Sequence, residues 1–218
     1  MVKKILILVS IVINLISCSN NTFKNLIIEK HVKYCNSNKI IITDSILNIS
    51  GYYALYQPYW RTVDFKHNIK VLDTLEENVI FYKNGICVRR YHLVDENNQP
   101  INYKFEAKYL KNLSEKNCNS KQKVQFYEFA EWGSFNFSKD TIKCHFILKP
   151  FSNSVNDYWS SKEIYFKKIS PHKIIELCDS KMYNSFDSKI NNLFEFKPSV
   201  TPSPDSSWIV KEPWFWCK

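Results

Sequence analysis

The side chains that could do chemistry are few and widely spaced. Seven cysteines stand at positions 18, 35, 87, 118, 144, 178 and 217. None forms a Cys-x-x-Cys pair or a Cys/His cluster at zinc-finger spacing, so no metal ligand set is expected. Of the five histidines, His31 lies in a polar N-terminal stretch, His67 in a polar turn, His145 on an outward strand position and His172 in a Pro-containing turn. These four read as solvated surface residues. His92 differs, since it follows Arg89, Arg90 and Tyr91 near the end of a hairpin strand, where barrel mouths place polar ligand contacts. Glu128 and Glu131 flank Phe129 and resemble in type the carboxylate pair of a glycosidase, but residues three apart on a strand point to opposite faces. Gly51, Gly85 and Gly133 are the only glycines. The chain therefore lacks a phosphate-cradling loop, a GxGxxG fingerprint and a GxSxG elbow, and it has no HExxH. The expectation is a protein without catalytic residues, metal or cofactor.

The elements that would position these residues are mainly strands. Val79 to Lys83, Asn84-Gly85 and Ile86 to Tyr91 predict a hairpin with a two-residue type I′ turn, placing Phe81 opposite Val88 and Tyr82 opposite Cys87. A second hairpin is predicted from Trp132 to Phe137, through Ser138-Lys139-Asp140, into Thr141 to Leu148. Phe135, Phe137, Ile142, Cys144, Phe146 and Leu148 then face inward, with Asn136, Lys143 and His145 outward. A third runs from Glu163 to Phe166, across Ser170-Pro171-His172, into Lys173 to Leu177. Gly51 to Tyr56, Tyr103 to Tyr109, Val124 to Phe129 and Trp208 to Trp216 are read as further strands. Helical spacing is confined to Met182, Phe186, Ile190 and Leu193, with Phe194 alongside, which predicts one short helix near the C-terminus. Pro198, Pro202 and Pro204 then enforce an extended connection. A meander of short strands without βαβ crossovers is mostly β, and a barrel is favoured over a sandwich.

The N-terminus carries the clearest signal of address. Lys3 and Lys4 precede an apolar run from Ile5 to Ile16, the length of an export-signal core and too short for a spanning helix, which needs roughly 20 apolar residues. Leu15-Ile16-Ser17-Cys18 resembles the lipobox of bacterial lipoproteins. That resemblance implies cleavage after residue 17, palmitate-type acyl chains on Cys18 and a membrane anchor. Ser19 in place of an Asp implies the outer membrane. Residues 1–17 are then a signal peptide, 18–38 the lipidated cysteine and a polar tether with a short ordered piece near Leu26 to Val32, and 39–218 a single β-rich domain.

Export alters the reading of charge and cysteine. The chain carries 30 Lys and Arg against 21 Asp and Glu, a formal +9, but the lysines are scattered and Arg61, Arg89 and Arg90 are the only arginines. A solvated basic surface near an anionic membrane fits this pattern, and no nucleic-acid partner is expected. Beyond Cys18, the six remaining cysteines allow up to three bridges, with no pairing legible from sequence. Cys35, Cys118 and Cys217, in polar or terminal stretches, are the better bridge candidates; Cys144 reads as a small buried hydrophobe.

The order of elements also resembles lipocalin-like bacterial lipoproteins, through Gly51-Tyr52-Tyr53, Trp132-Gly133 and a short helix before a closing strand. Tyr53 stands where the lipocalin signature has Trp, and the resemblance is architectural. With 6 Trp, 13 Tyr and 15 Phe, the aromatics suit an interior lined for a small apolar or sugar-like ligand. The functional expectation is an exported, lipid-anchored, non-catalytic binding module. The alternative is a structural or interaction lipoprotein with a filled barrel, contacting another envelope component through Trp214 and Trp216.

Overall fold

The computed structural model describes residues 22–32, 47–64, 66–90, 106–117, 119–128, 130–149, 159–179 and 192–216. Eight antiparallel strands close into a barrel in chain order: β1 (Gly51–Asp64), β2 (Ile69–Phe81), β3 (Ile86–Arg90), β4 (Glu131–Ser138), β5 (Thr141–Leu148), β6 (Ser160–Ser170), β7 (Lys173–Asp179) and β8 (Asn192–Pro198). Pairing of β8 with β1 over Gly51–Ala54 closes the wall there and removes the free edges that an open meander would present over that stretch. The mostly β, barrel-forming architecture expected from the hairpins is therefore the one found.

Alternation sets the two faces of the wall. Tyr53, Leu55, Val79, Phe81, Cys87, Phe135, Phe137, Ile142, Cys144, Phe146, Ile164, Phe166, Ile174 and Phe194 form a buried interior cluster. Their rings interlock edge to face, as in Phe81 against Phe135 at 4.8 Å and Phe166 against Phe194 at 5.6 Å. Leu47 enters this cluster, and Tyr53 Oη donates to the Pro171 carbonyl at 2.8 Å, so the aromatic half is packed and tied at one end. That end is bounded by tight turns: 82–85, Lys139-Asp140 and Pro171-His172. At the other end the connections from β3 to β4, β5 to β6 and β7 to β8 are long.

Two glycines permit this geometry. Gly85 sits at φ +81°, the left-handed conformation that glycine adopts without a Cβ penalty. The backbone N–H of Gly85 donates to Tyr82 O, and Tyr82 N–H to Ile86 O, so the loop is longer than a two-residue turn. Phe81 consequently faces Cys87 and Ile80 faces Val88, one residue off the expected register. At Gly133 a Cβ would stand 2.1 Å from the His145 carbonyl oxygen, so β5 can approach β4 only because no side chain is there.

The outer face of one wall is covered. Helix α1 (22–32), α2 (Glu106–Ser114) and α3 (Ser120–Tyr127), with 3-10 turns at Pro204–Ser206, Ile209–Lys211 and Pro213–Trp216, pack over Tyr82, Ile86, Val88, Trp132 and Ile147. Trp132 Nε1 donates to the Phe126 carbonyl at 3.1 Å, and Tyr82 Oη donates to Pro202 O at 3.0 Å, tying α3 and the C-terminal segment to the sheet.

Several expectations are corrected here. Glu106–Ser114 and Ser120–Tyr127 are helical rather than strand. Alternating apolar residues there satisfied a strand pattern, but Asn119 and Gln122 form a reciprocal capping box, and Leu110, Leu113 and Phe126 reach the outer core from helices. Residues 208–216 form 3-10 turns, not a closing strand, with Trp208 and Phe215 buried on the outer wall. Among the described residues the C-terminal region holds only such turns; Leu193 and Phe194 lie on β8, and Met182, Phe186 and Ile190 lie outside the described residues.

Candidate functional site in the charged layer of the barrel

Toward the long-loop end, the inward alternation continues but the residue types change. Glu77 precedes Val79 and Phe81 on β2, Arg89 follows Cys87 on β3, Lys162 precedes Ile164 on β6, and Glu176 follows Ile174 on β7. Glu131 opposes Arg89 across β3 and β4. All five are buried. The Arg89 guanidinium donates to Glu77 Oε1 and, at 3.2 Å, to Glu176 Oε1. Lys162 Nζ lies 2.5 Å from Glu131 Oε2. Asn192 Nδ2 donates to the other Glu176 oxygen at 3.3 Å. Burial pushes the Glu77 carboxyl up from its ordinary value, while the charge and hydrogen bond of Arg89 pull it back.

This layer sits directly on the aromatic cluster, so the interior has an apolar half and a charged half. Ion pairs taken out of water repay their desolvation only when closely matched, and apolar residues of similar size would stabilise a filled barrel as well or better. The arrangement can accept and donate hydrogen bonds to a polar molecule in a low-dielectric setting, where such bonds are strong.

A second buried polar cluster lies on the outside of the wall. His31 of α1 and His145 of β5 are both fully buried, with Nδ1 to Nδ1 at 3.4 Å and ring centroids 5.6 Å apart. His31 Nε2–H donates to the Phe215 carbonyl at 3.0 Å. Its Nδ1 is therefore the acceptor, and His145 Nδ1–H is the donor to it. The Phe215 ring stacks on His31 at 4.9 Å. Burial and the neighbouring His31, Lys30 and Lys143 hold the His145 imidazole down to about 3, and burial also lowers His31.

His145 does point outward, as read from the sequence, but α1 covers it, so neither it nor His31 is a solvated surface residue. His67 and His172 are exposed in turns. Of the Arg89-Arg90-Tyr91-His92 cluster, Arg89 points inward to the charged layer and Arg90 lies outside over the Phe126 ring at 5.2 Å; His92 lies outside the described residues. Glu128 and Glu131 are on opposite sides of the wall: Glu131 faces Lys162 inside, and Glu128 meets Lys149 at 2.9 Å. Cys18, Cys35, Cys118 and Cys217 lie outside the described residues, while Cys87 and Cys144 are buried free thiols, with Cys87 pushed up by burial and the adjoining Cys144. Among the described residues no cluster of three or more His, Cys, Asp or Glu could hold a metal ion, and no helix is long and apolar enough to cross a membrane. Glu77, Lys162 and Glu176 were missed by motif reading; each is a charged residue at an inward position of an otherwise apolar alternation.

Comparison with known proteins finds no matching family model, no similar curated protein and no similar solved structure.

Proposed function

We propose that the chain is an exported protein, anchored in the outer membrane through lipid on Cys18, whose barrel is a non-catalytic binding module for a small sugar-like ligand. The observation that supports this reading is the buried charged layer of Glu77, Arg89, Glu131, Lys162 and Glu176 above the aromatic half. The aromatic half is occupied by its own rings, which turns the choice between apolar and sugar-like ligands toward the latter. Sugar hydroxyls both donate and accept, so they can bridge carboxylates to the guanidinium and ammonium groups without leaving a buried charge unpaired.

Native mass spectrometry of the Cys18→Ser protein, purified from its own envelope extract, tests the reading. A stoichiometric adduct of saccharide mass is expected, and it should be lost in Glu131→Gln. A bare mass in both proteins would discard the ligand and favour the second reading, an interaction lipoprotein with a filled barrel. That reading draws on the packed interior and on Trp216, which is 37% exposed; Trp214 is packed against His31 and Phe215.

A further inference from the structure

We propose that the long-loop end of the barrel faces the lipid bilayer, with the first turns of α1 and the outer part of the β1–β2 hairpin resting in its headgroup region. This rests on the reading that Cys18 carries the lipid.

The direction of α1 supplies the first part of the argument. Lys24 lies 4.9 Å over the Trp159 ring, next to the start of β6 at the long-loop rim, and 3.6 Å from Glu212. One to two turns later, Lys30 reaches Glu163 at 3.4 Å and His31 reaches His145, both further along the wall. Ile27 and His31 are buried, and Lys24 and Ile28 are half-buried, so one face of α1 is seated on the barrel and its N-terminus is at the long-loop end. A chain extends by at most about 3.6 Å per residue, so Cys18 is within about 14 Å of Thr22. The β5 strand from that rim to the tight-turn end is roughly 25 Å long at about 3.3 Å per residue. A lipid on Cys18 therefore brings the long-loop end to the bilayer for as long as α1 stays docked.

The second part is what that end presents. β8 pairs with β1 only over Gly51–Ala54, and β3 with β2 only over Asn78–Phe81, whereas the β1–β2 ladder continues to Asp64 and Ile69. Among the described residues this outer stretch pairs only with itself and projects beyond the closed barrel. Tyr56, Ile69 and Leu72 on it, and Phe23 and Leu26 on α1, are each about half exposed. Lys66 is exposed in the turn at its tip, and Lys197 Nζ lies 5.6 Å over the Tyr56 ring. Aromatic, aliphatic and lysine side chains together suit an anionic interface. Ile169 and Val200 are as exposed toward the tight-turn end, so exposure does not choose the end; the four-residue reach from Cys18 does.

The test uses the full lipidated chain in vesicles of phosphatidylethanolamine and phosphatidylglycerol. A photo-crosslinking p-benzoylphenylalanine replaces Leu26, Leu72 or Ile169, each about half exposed. Lipid adducts are expected at positions 26 and 72 at several-fold the yield at 169. Equal yields, or a preference for 169, would overturn the orientation while leaving the anchor intact. In whole envelopes, a protein adduct at 72 in place of lipid would assign the hairpin to a protein partner and likewise overturn it. Mass spectrometry of the N-terminal peptide separates the two layers, since an unmodified Cys18 would overturn the anchor and the orientation together.

Discussion

The two buried polar clusters, one inside the barrel and one outside, solve the same problem in opposite ways. Inside, Glu77, Arg89 and Glu176, with Lys162 and Glu131, are compensated as charges, each held against an opposite charge. Outside, His31 and His145 are compensated as neutral rings by the order of their protons, running from His145 Nδ1 to His31 Nδ1 and from His31 Nε2 to the Phe215 carbonyl. The first arrangement depends on every partner being present. The second depends on no extra proton arriving, because protonation of His31 would set two N–H groups against each other. A charged cluster is therefore broken by substitution and a neutral one by acid.

The largest effect should come from Arg89→Met, which strands Glu77 and Glu176 inside the barrel. A loss of about 3–5 kcal/mol in urea denaturation is expected, as for other unpaired buried charges. Adding Glu77→Leu and Glu176→Leu should restore most of it. If Arg89→Met alone is neutral, the layer is hydrated and not compensated by pairing.

Acid comes next. The folded-state pKa of His145 is lowered to about 3 from 6.5, so between those values the unfolded chain binds the proton and the folded chain does not. The His145 contribution to stability is then complete above about pH 6.5 and falls as the pH drops toward 3, by about 1.4 kcal/mol per pH unit at most, and His31, also lowered by burial, adds in the same direction. Lys30 and Lys143 oppose protonation, while Glu163, beside both, moderates them. Thermal melts of wild type and of a His31→Phe, His145→Phe double variant should diverge below pH 6.5. Parallel profiles would mean that the pair does not titrate with folding.

Smaller changes sharpen the contrast. Asn192→Ala removes only the neutral donor to Glu176 and should cost about 1 kcal/mol at any pH above the carboxylate range. Lys30→Met removes an exposed ion pair with Glu163 and should change stability by less than about 1 kcal/mol at neutral pH. Because Lys30 also opposes a proton on His145, that variant should lose less stability than wild type on acidification, measured in the same melts.

Much of the barrel was legible in residue order. The strand pairs β4–β5 and β6–β7, their turns and the inward set Phe135, Phe137, Ile142, Cys144 and Phe146 follow from period-two alternation bounded by turn residues. Over Tyr103 to Tyr109 and Val124 to Phe129 a short alternating aromatic run satisfies both periods, and only the sheet face beneath the helices at 106–114 and 120–127 decides for helix. The 82–85 loop shifted the register because Asn-Gly fits more than one loop length. The charged layer was hidden by its chemistry: Glu77, Lys162 and Glu176 look like solvent-facing residues until their opposite charges are brought across the barrel.

What the sequence alone determined is the alternation of the β2–β3, β4–β5 and β6–β7 hairpins, the scarcity of glycine-dependent and metal-binding motifs, and the resemblance of residues 1–18 to a lipoprotein signal, since these depend on neighbours in the chain. The closure of β1 on β8, the burial of His31 against His145 more than a hundred residues away, and the meeting of Arg89 with Glu77 and Glu176 were decided by the tertiary structure. They depend on which residues the closed wall brings together, and local propensity carries no term for that.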